Sequence, residues 1–399
     1  MPQSVTVDIA IFGGGIAGLW LLHRLRQQGF DAVLFETHTL GGGQTHKSQG
    51  IIHGGMKYAL QGTLNSASQS IADMPGLWQA CLSGKGEIDL SGVPILSAHQ
   101  YLFSTGKLAG KLTGFFANVA LQGRMTELNK KEYPAVFQNP QFKGLVYALD
   151  EIALDVHALV RVLAEPYRDS IYQIDALRAE DMVTDAHGFS YLALRSSQGE
   201  TIHLHAQKYI FTAGEGNEIA TAKLAKDNLK MQRRPLHMVL IKTDIPHPVF
   251  AHCFGLGATP RITITTSKAP DGKTIWYLGG QIAEEGVKRD AKQQIEFARA
   301  ELKQIFPWLD FSNAEFASFF VDRAEPLQAG GKRPDGAYMN EEKNAIVAWP
   351  TKLALAPALA QNILKALQSQ GLQAQSSDRA GLKQFTHPAC AAPLWETLL

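Results

Sequence analysis

The chain has 399 residues with a formal net charge of +1, and 45% of its residues are hydrophobic. This length predicts two or three domains, or one large nucleotide-binding fold with an inserted partner. The hydrophobic share is enough for a sizeable core and excludes wholesale disorder. The balance of 38 basic against 37 acidic residues argues against nucleic acid as the main partner, because phosphate binding needs a basic surface.

Cysteine usage and hydropathy indicate the compartment. Cys81, Cys253 and Cys390 are far apart and form no C-x-x-C pair, which is typical of a protein in a reducing compartment. No apolar run approaches the roughly 20 residues that a membrane-spanning helix needs. We therefore expect a cytoplasmic protein without an integral membrane segment, and attachment to the periphery of the inner membrane stays open.

The first elements in chain order predict a strand–helix–strand unit. Val5 to Phe12 is an apolar strand that runs into the G-x-G-x-x-G motif of Gly13 to Gly18. An amphipathic helix follows and ends at Gly29, and Ala32 to Phe35 is a second apolar strand closed by Glu36.

The residue types of this unit fit a dinucleotide. Gly13 would make the tight turn, Gly15 would let the backbone approach a pyrophosphate, and Gly18 would let the helix pack closely on the strand. Glu36 would accept hydrogen bonds from an adenosine ribose. The alternative is a glycine turn in an ordinary βαβ unit, which would not require an acid at position 36. We therefore predict dinucleotide binding.

Two later segments favour FAD over NAD. Gly41 to Ser48 is a second loop of small residues with free N–H and hydroxyl donors, able to wrap a longer cofactor. Lys208 to Thr212 is a short strand that ends in Ala213 and Gly214, and its return to the same sheet would close a pocket around a bulky ligand.

The remaining pattern contains no repeats, no low-complexity tract and no long linker. We expect an α/β chain in which a Rossmann-like FAD-binding domain, with a mostly parallel sheet, is interleaved with a mixed-sheet α+β substrate domain. The FAD-binding domain would comprise residues 1–90, 150–225 and 330–399, and the substrate domain residues 91–149 and 226–329. Helices are expected over 61–81, 156–166, 289–306 and 356–370, and β-structure over 88–102, 144–149, 189–194, 201–204, 208–212, 235–243, 261–266 and 274–278.

The motifs together resemble a known family. The strand–GGGIAG–helix–strand–Glu36 unit, SQGIIHGGMKY (Ser48 to Tyr58) and YIFTAGEGN (Tyr209 to Asn217) are similar to the FAD-dependent D-amino-acid oxidase superfamily. IIHGGMKY resembles the I-H-G-G-x-R-Y segment of FAD-dependent glycerol-3-phosphate dehydrogenases, and also a segment of L-2-hydroxyglutarate oxidases. Looser similarities over 152–163, 233–241, 321–327 and 348–357 extend the resemblance to nearly the whole chain.

The resemblance implies a set of cofactor contacts. FAD phosphates would lie at the glycine motif, the ribose at Glu36, and the flavin along the segment that contains His53. The implied cofactor-binding residues are Gly13, Gly15, Ile16, Ala17, Gly18, Glu36, Thr37, Thr45, Ser48, Gln49, Gly50, His53, Gly54, Ala213, Gly214, Thr351, Lys352 and Leu353.

It also implies catalytic roles for His53, Arg323, Lys352, Lys57 and Tyr58. His53 would take a hydroxyl or amine proton while hydride passes to flavin N5; the alternatives are a histidine that only orients the flavin or one covalently attached to it. Lys352 would stabilise the anionic reduced ring, or be a surface lysine at a helix entry. Arg323 would clamp the substrate's anion, or form an ion pair with Glu325 or Asp322. Tyr58 could instead be a core aromatic.

Two departures from the family pattern weaken glycerol 3-phosphate as the specific substrate. Lys57 replaces the family's arginine and lacks the planar fork that binds phosphate bidentately. Ala354, Leu355 and Ala356 replace a Thr-Thr-Tyr stretch and so remove hydroxyl groups. Neither change weakens flavin binding.

The sequence thus predicts an FAD-dependent oxidoreductase that dehydrogenates a small anionic substrate. A 2-hydroxy acid, a polyol phosphate and an amino acid all fit, with oxygen or a quinone as the electron acceptor. The alternatives are a flavin-containing binding or assembly protein with structural FAD, and an NAD-dependent dehydrogenase. No H-x-x-x-H and no G-x-S-x-G occurs, so we predict neither a metal site nor a serine nucleophile.

Overall fold

The structure is a computed structural model. It describes residues 2–54, 71, 73–105, 125–224, 229–255, 259–328, 330, 334 and 336–399.

Strands make up three sheets within these ranges. In chain order the strands are β1 (Gln3–Phe12), β2 (Ala32–Glu36), β3 (Ile51–Ile52), β4 (Ile95–Ser97), β5 (Gln100–Ser104), β6 (Met125–Glu127), β7 (Val146–Leu149), β8 (Ile152–Leu154), β9 (Ile171–Gln173), β10 (Met182–Asp185), β11 (Gly188–Arg195), β12 (Thr201–Phe211), β13 (Met231–Thr243), β14 (Ala251–Phe254), β15 (Ile262–Lys268), β16 (Thr274–Gly279), β17 (Glu315–Pro326), β18 (Tyr338–Glu342) and β19 (Ala345–Trp349).

The α-helices connect or cover these sheets. In chain order they are α1 (Ile16–Gln27), α2 (Met74–Leu82), α3 (Val156–Ala164), α4 (Asn217–Leu224), α5 (Gln281–Glu285), α6 (Ala291–Ile305), α7 (Ala356–Ser369) and α8 (Leu394–Leu398).

The first sheet has a parallel centre. Its strand order is β10-β11-β12-β1-β2-β9, and β19 pairs with β12 and β18. β1 is parallel to β2 and β12, and β12 is parallel to β19, so the carboxyl ends of these strands meet at one edge. Ile9 and Ile11 of β1 pack into one hydrophobic cluster and Ala10 and Phe12 into another, which is why β1 is apolar on both faces.

The second sheet is mostly antiparallel. Its order is β17-β13-β16-β15-β14-β5-β7-β6, and only the β14–β5 pair among these is parallel. Ala298, Leu302 and Ile305 of α6 cover one face, while Met238 and Leu240 belong to the cluster on the other. A small third sheet, β3-β8-β4, joins the loop after β2 to the segment that leads into α3. These sheets show the predicted α/β class with an interleaved mixed-sheet region.

Local sequence signals account for most element boundaries. Gly29, with a φ of +85°, follows the end of α1, and Asp155 caps α3 by accepting from the N–H groups of His157 and Ala158. Gly272, with a φ of +82°, lies in the turn between β15 and β16. No helix within the described ranges is both long enough and apolar enough to cross a bilayer.

Two expectations need qualification. The segment 88–102 is not continuous β-structure, because it begins with turns and contains strands only at β4 and in the first part of β5. Residues 61–70 and 72 of the predicted helix over 61–81 lie outside the described residues, and α2 begins at Met74. The predicted domain boundaries stay predictions.

Candidate functional site

The carboxyl ends of β1 and β12 form a tight turn. Gly13 has a φ of +109°, which favours glycine, and a Cβ there would lie 2.5 Å from Ala213 Cα. The Thr212 hydroxyl donates to the carbonyl oxygens of Phe12 and Gly13 at 3.2 and 3.3 Å. The backbone of β12 therefore closes directly on the glycine turn.

The rest of the motif brings α1 against this turn. A Cβ on Gly18 would lie 2.0 Å from Gly13 O, so glycine is required for the close contact of helix and strand. Gly15 precedes α1, and a Cβ there would lie 3.1 Å from Thr45 Oγ1, which accepts from the Ile16 N–H at 3.0 Å. Residues 13–18 together with 212–214 are called the glycine cradle below; Ala17 is buried in it.

Glu36 is held at the end of β2. Its Oε2 accepts from the Gly14 N–H at 2.7 Å, and its Oε1 accepts from the N–H groups of Thr37 and His38 at 2.8 and 3.0 Å. The carboxylate is thereby fixed beside the glycine cradle, and its contact with a ribose stays a prediction.

The loop between β2 and β3 crosses to the second sheet. Gln49 Nε2 donates to the carbonyl oxygens of Tyr277 and Thr263 at 2.8 and 3.2 Å, and the Tyr277 hydroxyl donates to Lys47 O. Ser48 Oγ is buried without a hydrogen-bond partner among the described residues. Buried polar atoms normally have partners, so this hydroxyl, with the glycine cradle and Glu36, fits a bound cofactor.

Gly50 and Gly54 lie on either side of β3. Gly50 has a φ of +69°, and a Cβ on it would lie 2.4 Å from Leu154 O. Only glycine can therefore adopt the backbone conformation at position 50 that leads into β3. The Gly54 N–H donates to Glu151 Oε1 at 3.1 Å.

One face of the second sheet turns toward this loop. Residues paired across neighbouring strands share a face, and so do alternate residues along a strand. By the register of β14, β15, β16, β13 and β17, His252, Tyr277 and Arg323 lie on the same face. Because Tyr277 contacts Lys47, this face is the one that approaches the loop.

His53 lies opposite a buried glutamate. β3 and β8 are antiparallel with Ile52 paired to Ile152, so the next residues, His53 and Glu151, face each other. His53 Nδ1 lies 3.3 Å from Glu151 Oε2, and His252 Nε2 lies 3.9 Å from the same oxygen. We call His53, Glu151 and His252 the His53 cluster.

Charge and burial differ within the His53 cluster. The His53 side chain is 40% exposed, whereas that of Glu151 is 7% exposed. Burial alone would raise the pKa of the Glu151 carboxyl, but His53 and His252 beside it outweigh burial and hold this pKa well below its ordinary value. The two histidines therefore favour the ionised form of the buried Glu151 carboxyl, and the three side chains could also hold a divalent metal ion.

Arg323 lies on β17 directly opposite Arg234. Its Nε donates to Arg234 O at 3.3 Å, and the side chain is half-buried. Glu325, named above as an alternative partner, is buried and pairs with Arg234, and Asp322 lies 3.8 Å from Arg233 Nη1. Arg323 and Arg234 are thus neighbours across the two strands, and Arg234 pairs with Glu325.

The segment after β19 adds a cation at the edge of the first sheet. Thr351 has a φ of +61°, a strained conformation for a β-branched residue, and its hydroxyl donates to Gly336 O at 3.0 Å. Lys352 is half-buried and precedes the 3-10 turn Leu353–Leu355. Trp349 Nε1 donates to Gly214 O at 3.3 Å and joins this segment to the glycine cradle.

The structure thus brings most predicted site residues to two adjoining places. The cradle residues and Glu36 lie at the edge of the first sheet, and His53 lies where the loop meets the second sheet. Lys57 and Tyr58 lie outside the described residues. Sequence reasoning missed Glu151 and gave His252 no role, since neither belongs to a motif and only strand register brings them to His53.

Comparison with known proteins gives the family. The family model described as DAO, FAD dependent oxidoreductase, matches residues 8–348. The chain is 47% identical over 397 residues to a probable FAD-dependent oxidoreductase of Pseudomonas aeruginosa, PA4991, and the alignment spans 99% of each chain. The crystal structure of PA4991 matches with a TM-score of 0.85 and 41% identity over 100% of this chain and 99% of that one.

More distant structures share the fold. L-α-glycerophosphate oxidase from Mycoplasma pneumoniae, solved with FAD bound, matches with a TM-score of 0.65 and 15% identity over 96% of this chain and 99% of that one. Glycine oxidase from Geobacillus kaustophilus matches with a TM-score of 0.62 and 16% identity over 95% and 98%. The chain therefore belongs to the DAO family of FAD-dependent oxidoreductases, and FAD is its cofactor.

Proposed function

We propose that this oxidoreductase dehydrogenates a small anionic substrate at a CH–OH or CH–NH group, with His53 as the residue that accepts the proton. The single observation that carries the proposal is the half-exposed imidazole of His53, whose Nδ1 lies 3.3 Å from the buried carboxylate of Glu151. FAD, when bound, supplies the hydride acceptor. The glycine cradle, Glu36 and Ser48 would hold it.

His53 suits proton transfer because of its type and its place. A neutral imidazole accepts a proton near pH 7, and the exposed part of the ring leaves one nitrogen accessible to a substrate. The hydroxyl or ammonium group that gives up this proton would be attached to the carbon that loses hydride. The alternatives of a histidine that only orients the flavin, or is attached to it, predict no change in proton transfer when His53 is replaced.

Arg323 is proposed to bind the anionic group. It lies on the sheet face that approaches the loop, next to Arg234, which pairs with the buried Glu325. A guanidinium binds a carboxylate or phosphate through two parallel hydrogen bonds. We therefore expect a 2-hydroxy acid, an amino acid or a polyol phosphate rather than a neutral alcohol.

Lys352 is proposed to stabilise the charge of the reduced flavin. The residue lies at the carboxyl edge of the first sheet, beside the ends of β12 and β19. A fixed cation there would favour the anionic reduced ring without any reorganisation during the reaction.

Anaerobic reduction of the bound flavin tests the proposal. The purified holoenzyme is mixed with 2-hydroxy acids, amino acids and sugar or polyol phosphates, together with neutral alcohols and amines of the same carbon skeleton. We expect at least one anionic compound, and not its neutral counterpart, to bleach the flavin absorbance band. A flavin that none of the compounds reduces would instead support a structural role for FAD.

Reoxidation of the reduced enzyme then separates the two acceptor classes. Oxygen uptake with formation of hydrogen peroxide would identify an oxidase. Reoxidation by a soluble quinone, with oxygen acting slowly, would identify a dehydrogenase.

A further inference from the structure

The segment that carries His53 also holds the Glu151 carboxylate in place. Its Oε1 accepts from the Gly54 N–H at 3.1 Å, and its Oε2 lies 3.3 Å from His53 Nδ1. An ionised carboxylate can only accept hydrogen bonds, so the proton of the neutral imidazole is on Nδ1. The other ring nitrogen, Nε2, is then the atom that can take a proton.

His252 approaches the same carboxylate from the second sheet. Its Nε2 lies 3.9 Å from Glu151 Oε2, which is an ion-pair distance rather than a hydrogen bond. Its Nδ1 lies 2.8 Å from Thr263 Oγ1, and its ring centroid lies 6.4 Å from that of His53. His252 is buried, so the second sheet contributes a fixed partner for Glu151.

We propose that Glu151 and His252 are positioning residues for His53: Glu151 fixes the tautomer with Nδ1–H and balances the positive charge of the imidazolium, and His252 keeps the carboxylate in place. This inference rests on the proposed function of His53. The substrate's O–H or N–H bond breaks, and its proton forms the new N–H bond at Nε2. The substrate's C–H bond supplies the hydride to the oxidised cofactor. A buried carboxylate beside the ring makes the resulting imidazolium less costly.

The elements packed against β3 carry other charged groups. The elements that pack against β3 are β8, the turn Leu353–Leu355 and α2. His252 of β14, in the second sheet, also lies near His53. The titratable groups at or next to these elements are Glu151, Asp150, Lys352, Asp73, Cys81 and His252. Asp150 and Asp73 are exposed and Cys81 is buried in the apolar core, while Glu151 and His252 contact each other within the His53 cluster.

The test measures anaerobic flavin reduction across pH in Glu151→Gln, with the substrate found for the wild-type enzyme. We expect the limiting rate of reduction to fall about 100-fold. The glutamine amide can turn its N–H donor toward His53 instead of accepting from Nδ1–H, and it does not neutralise the positive charge of the imidazolium. The pH profile of the rate should also differ from that of the wild type, because the variant lacks the carboxylate beside the ring.

Further variants separate positioning from simple damage. Glu151→Asp keeps the charge and should recover part of the lost rate, and His252→Asn should lower the rate less, by roughly 3- to 10-fold. Asp181→Asn is the matched control, because Asp181 is a buried carboxylate paired with Arg195 away from this site. Flavin content and near-UV circular dichroism should match the wild type in all four variants.

The outcomes distinguish this inference from the proposed function. A wild-type flavin that no compound reduces overturns the proposed function and this inference together. A reducible wild type with Glu151→Gln at the same rate and the same pH profile overturns only the positioning role. One tightly bound divalent ion per chain, absent from Glu151→Gln and His252→Asn, would also overturn it by making the His53 cluster a metal site.

Discussion

The glycine cradle and the His53 cluster are adjacent in the fold but are specified by the sequence in different ways. The cradle depends on backbone contacts among residues 13–18 and the strand end at 212–214, and Gly13 and Gly18 are required because a Cβ at either position would collide with main-chain atoms. The His53 cluster depends on three side chains, of His53 just after β3, Glu151 just before β8 and His252 in β14, that come together only through strand pairing. A short motif can therefore reveal a cofactor site, while the proposed proton-transfer site stays hidden until the sheets are assembled.

The strongest way to break the cradle is Gly13→Ala. The new Cβ would lie 2.5 Å from Ala213 Cα, and alanine would have to adopt a φ of +109°. We expect FAD binding to weaken at least about 100-fold, which corresponds to roughly 3 kcal/mol of strain. The measurement is flavin content after gel filtration, with FAD titration of the apoprotein.

Gly76→Ala is the matched control for this substitution. Gly76 lies in α2, and a Cβ there meets no atom within 4 Å. This variant should bind FAD normally and be as stable as the wild type or up to about 1 kcal/mol more stable. A fully flavinated Gly13→Ala protein would contradict the importance of backbone contact in the cradle.

Arg323→Ala tests whether Arg323 binds the anionic group of the substrate. Loss of the guanidinium should raise KM for the anionic substrate by about 10- to 100-fold, because charge-assisted hydrogen bonds contribute roughly 1.5–3 kcal/mol. FAD affinity should not change. Steady-state kinetics of Arg323→Ala and Arg323→Lys measure the effect, and the lysine variant should lie between alanine and wild type.

The control for Arg323 is Arg233→Ala. Arg233 is on the opposite face of β13 from Arg234, and its guanidinium pairs with Glu218 at 2.6 Å. Its removal should leave KM within about twofold of the wild-type value, as expected for an exposed ion pair. Equal increases of KM in both variants would show that overall charge, rather than the Arg323 position, binds the anion.

His46, in the loop between β2 and β3, should make the free energy of unfolding depend on pH. Burial, with the neighbouring His157, lowers the pKa of His46 to about 4. The unfolded chain takes up this proton near pH 6.5, whereas the folded protein resists it until about pH 4, so stability is lost as pH falls through this window. His46 contributes at most about 3 kcal/mol to the loss.

Denaturant unfolding at pH 7 and pH 4.5 checks this prediction. The decrease in the free energy of unfolding should be smaller in His46→Asn than in the wild type. His187→Asn, at an exposed histidine, should lose as much stability as the wild type. The same pH dependence in all three proteins would show that His46 is protonated normally in the folded state.

The smallest effect is expected from Glu36→Gln. The carboxylate accepts from the N–H groups of Gly14, Thr37 and His38, and an amide can accept with only one of its two terminal atoms. FAD affinity should fall about 10-fold, in line with the loss of one or two hydrogen bonds. Equilibrium titration of apoprotein with FAD measures this, with Glu180→Gln, at an exposed acid, as the control.

Patterns of sequence predict the parts of this fold that are local. The apolar run of β1, the glycine spacing and the acid at position 36 predict the first βαβ unit, and Asp155 predicts the start of α3. Asp271 and Gly272 predict the turn between β15 and β16. Each of these signals acts within a few residues, so it can be read before the fold is known.

Other features depend on contacts between distant segments. The composition of β14 and β5 does not indicate that the two strands pair in parallel. The alternating pattern in 88–102 does not indicate that the first half of this segment forms turns. Glu151 is 98 residues from His53 in the chain, and a single glutamate before an apolar segment is a common pattern. The role proposed for it follows only from the register that places it opposite His53.

The most direct test of the proposed chemistry is anaerobic flavin reduction in wild-type enzyme and His53→Gln with the same small anionic substrate. We predict bleaching of the wild-type flavin and a limiting rate at least about 100-fold lower in His53→Gln, with flavin content and substrate affinity retained. An equal rate of reduction in the two proteins would contradict His53 as the proton acceptor.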